Sequence, residues 1–83
     1  VKISLLYFAW VRERIGLDGE TRDLAAATVG EALAALSALG DGYAAAFAEP
    51  HRLRFALDQD FVDADAVLRE GAELAIFPPV TGG

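Results

Sequence analysis

The sequence predicts an α+β fold: one mixed sheet covered by one main helix, followed by a flexible C-terminal Gly-Gly tail. Three observations lead there. Residues 1–8 and 72–77 read as strands, and the second is apolar on both faces except at Glu73, the pattern of a strand in the middle of a sheet. Between them Val29, Leu33, Leu36 and Leu39, with Ala32, form one apolar stripe at helical spacing, which needs a sheet to cover. Two strand-like segments precede this helix and two or three follow it, so a regular α/β alternation is excluded and one sheet under one helix is the economical arrangement.

In residues 1–8, Val1, Ile3, Leu5 and Tyr7 lie on one side and Lys2, Ser4, Leu6 and Phe8 on the other; the first set is the core set, and the second turns apolar only towards its end. Residues 9–15 place Arg12, Glu13 and Arg14 among Trp10, Val11 and Ile15 and predict a short helical turn closed by Gly16. Asp18-Gly19 signals a turn, and residues 20–24 form a second strand whose charges mark an edge. Thr28 with Glu31 is a capping-box pattern: Thr28 caps the long helix, Glu31 reaches back to the Thr28 amide, and Gly40 supplies the stop. Residues 42–48 add another turn of helix before Pro50, one whose four alanines leave it little to bury. Leu53, Phe55 and Leu57 alternate with Arg52, Arg54 and Ala56 in a half-buried strand; residues 58–60 turn it, Phe61 and Val62 pair briefly, and Val67-Leu68 precede a turn at Glu70-Gly71. This order is that of the β-grasp, or ubiquitin-like, architecture, with residues 1–79 as the domain and 80–83 as an extended tail.

A chain of 83 residues holds a single small core and no large cleft. The absence of cysteine excludes disulfides, a thiolate metal site and a cysteine nucleophile, so any sulfur the protein handles must come from elsewhere. With 13 acidic against 7 basic residues the net charge is −6, which argues against nucleic acid and for a basic protein partner. Residues 1–10 are apolar, but no small-residue cleavage site follows Lys2 and the charges of Arg12, Glu13 and Arg14 come directly after, unlike a signal peptide. No run reaches the roughly 18 apolar residues of a membrane span. The expectation is a cytoplasmic protein with no membrane partner.

His51 is the only histidine, and Ser4 and Ser37, the only serines, fall in predicted structure, so a self-contained Ser-His-Asp site is not expected. Asp58, Asp60, Asp63 and Asp65 fail the calcium-loop pattern, with Val62 or Val67 at the fifth position and no glycine at the sixth, and read as solvated turn carboxylates. No metal site is expected. No glycine-rich loop matches a nucleotide fingerprint, so ATP, if used, is bound by a partner.

The end of the chain carries the strongest functional signal. Pro78 and Pro79 fix φ and favour an extended exit from the last strand. From Pro79 the remaining residues, Val80, Thr81, Gly82 and Gly83, can reach roughly 13 Å, enough to enter a pocket of another protein. Gly82 and Gly83 lack Cβ, so a narrow channel can close around the backbone up to the terminal carboxylate, the candidate functional group. With a reference pKa of about 3.5, that carboxylate is ionised at neutral pH and unreactive as an acyl donor until activated.

The terminal run Phe77-Pro-Pro-Val-Thr-Gly-Gly, with Phe8-Ala9 and Val11-Arg12-Glu13 near the start, closely resembles the small subunit of molybdopterin synthase, over essentially the whole chain. The related sulfur carrier of thiamine biosynthesis also ends in Gly-Gly but usually lacks the Pro-Pro-Val approach. The resemblance implies that the first and last strands are adjacent and parallel. It implies that an adenylating, E1-like enzyme uses ATP to activate Gly83, that a sulfur-donor protein converts it to a thiocarboxylate, and that this inserts into the large subunit of a heterotetramer to sulfurate a pterin precursor. The catalytic side chains are then expected on the partners.

Strand parity separately predicts an exposed apolar patch of Leu6, Phe8 and Phe77, extended by Phe61, either as a docking surface or beneath loops that cover the rings. The resemblance places partner contacts at Phe8, Phe61 and Phe77, although an aliphatic residue is more usual at the position of Phe61. Arg12 fits polar contacts near the tail and equally a solvated helix face. The rival functions are a sulfur carrier for thiamine or another pathway, a protein modifier coupled through Gly83 to a lysine amine, and a plain ubiquitin-like binding module.

Overall fold

A computed structural model of the protein describes residues 1–79; the expected tail, residues 80–83, lies outside the described residues. The elements run β1 (Lys2–Tyr7), α1 (Ala9–Ile15), β2 (Gly19–Asp23), α2 (Val29–Ser37), α3 (Asp41–Ala46), a 3₁₀ turn (Pro50–Arg52), β3 (Arg54–Leu57), β4 (Asp60–Val62) and β5 (Glu73–Phe77). The sheet has five strands in the order β2-β1-β5-β3-β4. β1 and β5 pair in parallel, with Leu5 opposite Leu74 and Tyr7 opposite Ile76, and the other pairs are antiparallel, so the sheet is mixed. This is the β-grasp arrangement. The two most apolar strands are interior, and the charged β2 lies at an edge.

Alternation places Ile3, Leu5 and Tyr7 of β1 and Leu74 and Ile76 of β5 on one face, where all are buried. The α2 stripe of Val29, Ala32, Leu33 and Leu36 covers them. The β3–β4 hairpin turns on Asp58 and Gln59, both with positive φ (50° and 74°), the geometry of a two-residue hairpin turn that follows the twist of its strands. Asp58 also fastens the turn to β5: its N–H donates to the Glu73 carbonyl at 2.8 Å, and its Oδ1 accepts from the Glu73 N–H at 3.0 Å.

Three sequence expectations need correction. Thr28 caps α2 by accepting from the Glu31 N–H at 3.2 Å, but Glu31 Oε1 accepts from the Ala27 N–H, one residue before the expected Thr28 amide. Leu39 does not join the stripe: α2 ends at Ser37 with Ala38 as its cap, leaving Leu39 in the connection and 46% exposed, while Gly40 precedes α3 rather than stopping α2. The third concerns α3, which buries more than its alanines suggested, because Ala46 and the following Phe47 enter the core. Its close approach to α1 depends on Gly42, where a Cβ would stand 2.6 Å from the Arg14 carbonyl oxygen.

A polar network ties β1, β2 and α3 together. The hydroxyls of Tyr7 and Tyr43 both donate to Glu20 Oε2 at 2.7 Å, Arg22 Nε donates to Glu20 Oε1 at 2.8 Å, and Arg22 Nη2 donates to the Tyr43 hydroxyl at 3.2 Å. Burial pushes the Glu20 carboxyl up, but hydrogen bonds from Tyr43, Tyr7 and Arg22 outweigh it and hold the group below its ordinary value. Burial, then the bond to Glu20, pushes the Tyr7 phenol far up, so it stays a donor at any ordinary pH. Among the described residues no helix is long and apolar enough to cross a membrane.

Two outcomes follow for stability. Since Glu20 ionises more readily when folded, its contribution is complete above its ordinary value of 4.5 and is lost as pH falls through the depressed folded value. Glu20→Gln should therefore lower unfolding free energy at pH 7 by about 2 kcal/mol and flatten the acid limb of a stability-against-pH curve measured by urea denaturation. Gly42→Ala should cost about 1–3 kcal/mol in the same assay, because α1 and α3 must move apart.

Candidate functional site

The parallel β1–β5 ladder continues one residue beyond the strand, where the Phe8 N–H donates to the Ile76 carbonyl at 3.3 Å. The Phe8 carbonyl then accepts from the N–H groups of Val11 and Arg12 at 3.1 and 3.4 Å, opening α1. Phe8 is thus bonded to β5 on one side and to α1 on the other, and Ala9 takes the sharp change of direction with φ at 52°. A non-glycine residue in this left-handed region stores strain of about 1 kcal/mol, here where the chain leaves the sheet beside β5.

On the outer face the register forms a row across four strands: Leu6 opposite Ala75, Ala75 opposite Ala56, and Ala56 opposite Phe61. The two alanines keep the middle of the row shallow, and the Phe61 and Phe77 rings meet over it, 6.0 Å apart between centroids. Phe8 packs edge-on to Phe77 from the other side at 6.4 Å. Phe61 is 83% exposed and Phe8 45%, while Leu6 and Phe77 are half-buried. No described loop covers the rings. An open groove of ≈ 480 Å³, lined by Arg54, Phe61, Val62, Asp63, Phe77 and Pro79 among others, continues the apolar surface to the start of the tail.

The structure therefore brings Leu6, Phe8, Phe61 and Phe77 together. Arg12 stands apart from the row, exposed on α1 with Nε 3.7 Å from Asp18 Oδ1, a solvated pair of little energetic weight. Val80, Thr81, Gly82 and Gly83 lie outside the described residues, whose last members are Pro78, half-buried, and Pro79, exposed. His51 is exposed, and among the described residues no group of three or more His, Cys, Asp or Glu side chains is placed to hold a metal ion.

One cluster beside the exit was missed by sequence reasoning. Trp10, His51, Arg52, Pro78 and Pro79 line a second groove of ≈ 370 Å³. The Arg14 and Arg52 guanidiniums lie 4.4 and 5.8 Å from the Trp10 ring centroid. The Trp10–Arg14 pair was legible as an i, i+4 spacing on a helix. The arrival of Arg52, from the far side of the long helix, was not. The groups around the exit are rings, prolines, guanidiniums and the His51 imidazole, a set suited to binding a partner.

Residues 5–83 match the ThiS family. The chain is 40% identical over 81 residues to the molybdopterin synthase sulfur carrier subunit of Escherichia coli (strain K12), covering 98% of this chain and 99% of that protein. It is 36% identical over 81 residues to the subunit of the same name from Haemophilus influenzae, with the same coverage. Its fold is similar to the crystal structure of SAMP1 from Haloferax volcanii, with a TM-score of 0.76 and 27% identity over the whole of both chains.

Phe61 contributes little to the core, so Phe61→Ser should change unfolding free energy by less than about 0.5 kcal/mol in chemical denaturation. A larger loss would mean that the ring serves the fold rather than a partner.

Proposed function

The chain belongs to the ThiS family, and we propose that it is the sulfur carrier subunit of a molybdopterin synthase, delivering sulfur from the carboxyl end of Gly83. Full-length identity to two subunits of that name supports this reading. The structural observation that carries it is the central position of β5, which leads through Pro78 and Pro79 towards the terminal glycines and leaves the sheet beside the exposed rings of Phe8, Phe61 and Phe77. A rigid strand, a stiff exit and an adjacent apolar ledge are what a carrier needs to dock its body and extend its end into another protein's site.

The chemistry follows from the carboxylate. A Gly83 carboxylate oxygen attacks the α-phosphate of ATP held by an adenylating enzyme, pyrophosphate leaves, and the acyl-adenylate is formed. The outer sulfur of a donor protein's persulfide attacks the acyl carbon and AMP leaves; a second thiol then cleaves the acyl disulfide, giving the thiocarboxylate and a disulfide on the donor. In the large subunit that sulfur passes to the pterin precursor, precursor Z, and water restores the carboxylate. Because the molybdopterin dithiolene holds two sulfurs, each product consumes two charged carriers. The tail residues Val80, Thr81 and Gly82 thread the partner's channel, Phe8, Phe61, Phe77 and Leu6 dock the body, and the catalytic side chains belong to the partners.

A second reading, a protein modifier joined through Gly83 to a lysine amine, draws on the likeness to SAMP1, a small archaeal modifier protein. Intact mass separates the two. After incubation with ATP, a sulfur donor and an activating enzyme, the full-length chain should exchange one oxygen for sulfur and a chain lacking Gly83 should not. A branched conjugate in place of that exchange would favour the modifier. Phe8→Ser should weaken binding to the large subunit by about tenfold while leaving the fold intact, measured by titration calorimetry.

A further inference from the structure

The tail exit has two flanks of opposite character. On one side lie the phenylalanine rings. On the other, Trp10 gathers the Arg14 and Arg52 guanidiniums, and His51 and Arg52 line the groove that runs to Pro78 and Pro79. Arg54, which lines the groove of the phenylalanine rings, is tied to the same turn, its Nη1 donating to the carbonyls of His51 and Leu53 at 3.3 and 2.9 Å. The carboxylate paired there is Glu49, whose Oε2 is 3.0 Å from Arg52 Nη1. Arg52 first, and more weakly His51 and Arg14, hold the Glu49 carboxyl below its usual range. Two of the chain's seven basic residues, Arg14 and Arg52, thus meet at Trp10 in a molecule whose net charge is −6. The parallel β1–β5 register puts Lys2, at the start of β1, and Arg69, just ahead of β5, at the opposite end.

We propose that this groove is a second contact surface, which takes an acidic segment of the protein that receives the tail. Three observations support it. The Arg14 and Arg52 guanidiniums at Trp10 stand against one carboxylate, that of Glu49, a local excess of positive charge on an acidic chain, so complementarity here calls for carboxylates even though the body as a whole suits a basic partner. The Arg14 and Arg52 guanidinium carbons lie 4.4 and 5.8 Å from the centroid of a half-buried indole, which limits their freedom before binding, and Arg52 already meets one carboxylate, that of Glu49, through Nη1. Pro78 and Pro79 form part of the groove wall, so a segment seated there touches the root of the tail and helps to aim it. A nucleic acid fits worse, since its neighbouring phosphates would lie against an acidic body. The surface does not depend on which pathway uses Gly83.

The test uses the full chain and a hexaglutamate peptide at low salt, followed by heteronuclear NMR. The chain has one tryptophan, so the Trp10 indole N–H is a single assignable probe. Its resonance and the Arg14 and Arg52 Nε–H resonances should move on titration, those of Lys2 and Arg69 should not, and the response should shrink in high salt. Arg14→Gln with Arg52→Gln should weaken the response about five- to tenfold, whereas Arg69→Gln should leave it unchanged. Shifts spread evenly over all basic residues, an equal loss in Arg69→Gln, or tighter binding of an oligothymidylate of matched charge would overturn the proposal. With the large subunit in place of the peptide, the double variant should lose affinity while its urea unfolding midpoint is unchanged; unchanged affinity would equally overturn it.

Discussion

The parallel pairing of β1 with β5 is the constraint on which the rest of the structure depends. Parallel neighbours cannot be joined by a tight turn, so everything between them must leave the sheet and return. The intervening chain does this by pairing β2 to the free edge of β1, crossing the inner face as α2 and α3, and adding β3 and β4 beyond β5. Because β1 and β5 run the same way, the end of one and the end of the other emerge together. That single fact puts Phe8 beside Phe77, starts α1 beside the tail root, and gathers the outward rings and the last described residues at one end of the domain.

The two faces of the sheet divide the work. The inner face holds Ile3, Leu5, Tyr7, Leu74 and Ile76 under α2, and each such side chain buried stabilises the fold by about 1.5–3 kcal/mol before entropy is counted. On the outer face the Leu6–Ala75–Ala56–Phe61 row runs to the exposed ring of Phe61, with no helix among the described residues covering that ring. Exposed aromatic rings there work against solubility, and Phe61 at the tip of a three-residue strand gains little from the fold in return. A local feature that opposes the general rule for surfaces is where function is to be sought.

The polar network at the other edge shows the reverse case. Glu20 and Arg22 lie on an edge strand and would be unremarkable there as solvated charges. Tyr7 and Tyr43 turn Glu20 into the acceptor of two phenol hydrogen bonds, so that α3 is fastened to β2 through side chains. The same α3 is held close to α1 at Gly42. The helix carrying Trp10 and Arg14 is therefore supported from behind, which steadies the basic flank of the exit.

Alternation, helical spacing and turn chemistry are local, and by themselves they determined the elements: the core set of β1, the cap at Thr28, the edge character of β2, the central character of β5 and the stiff Pro78-Pro79 exit. They also determined which rings point outward, because strand parity fixes the face of Leu6, Phe8 and Phe77 once the core face is known. Tertiary structure alone decided what met what. Leu39 had the right spacing but fell past the end of α2, since the reversal into α3 needs those residues. Phe47, set among alanines, entered the core because the α1–α3 contact delivered it there. The approach of Phe61 to Phe77 depends on Ala56 and Ala75 being small on two different strands, and the approach of Arg52 to Trp10 on the whole chain between them. Periodicity records which face a residue takes within its own element; the distance between faces of different elements is set by packing, which no local pattern contains.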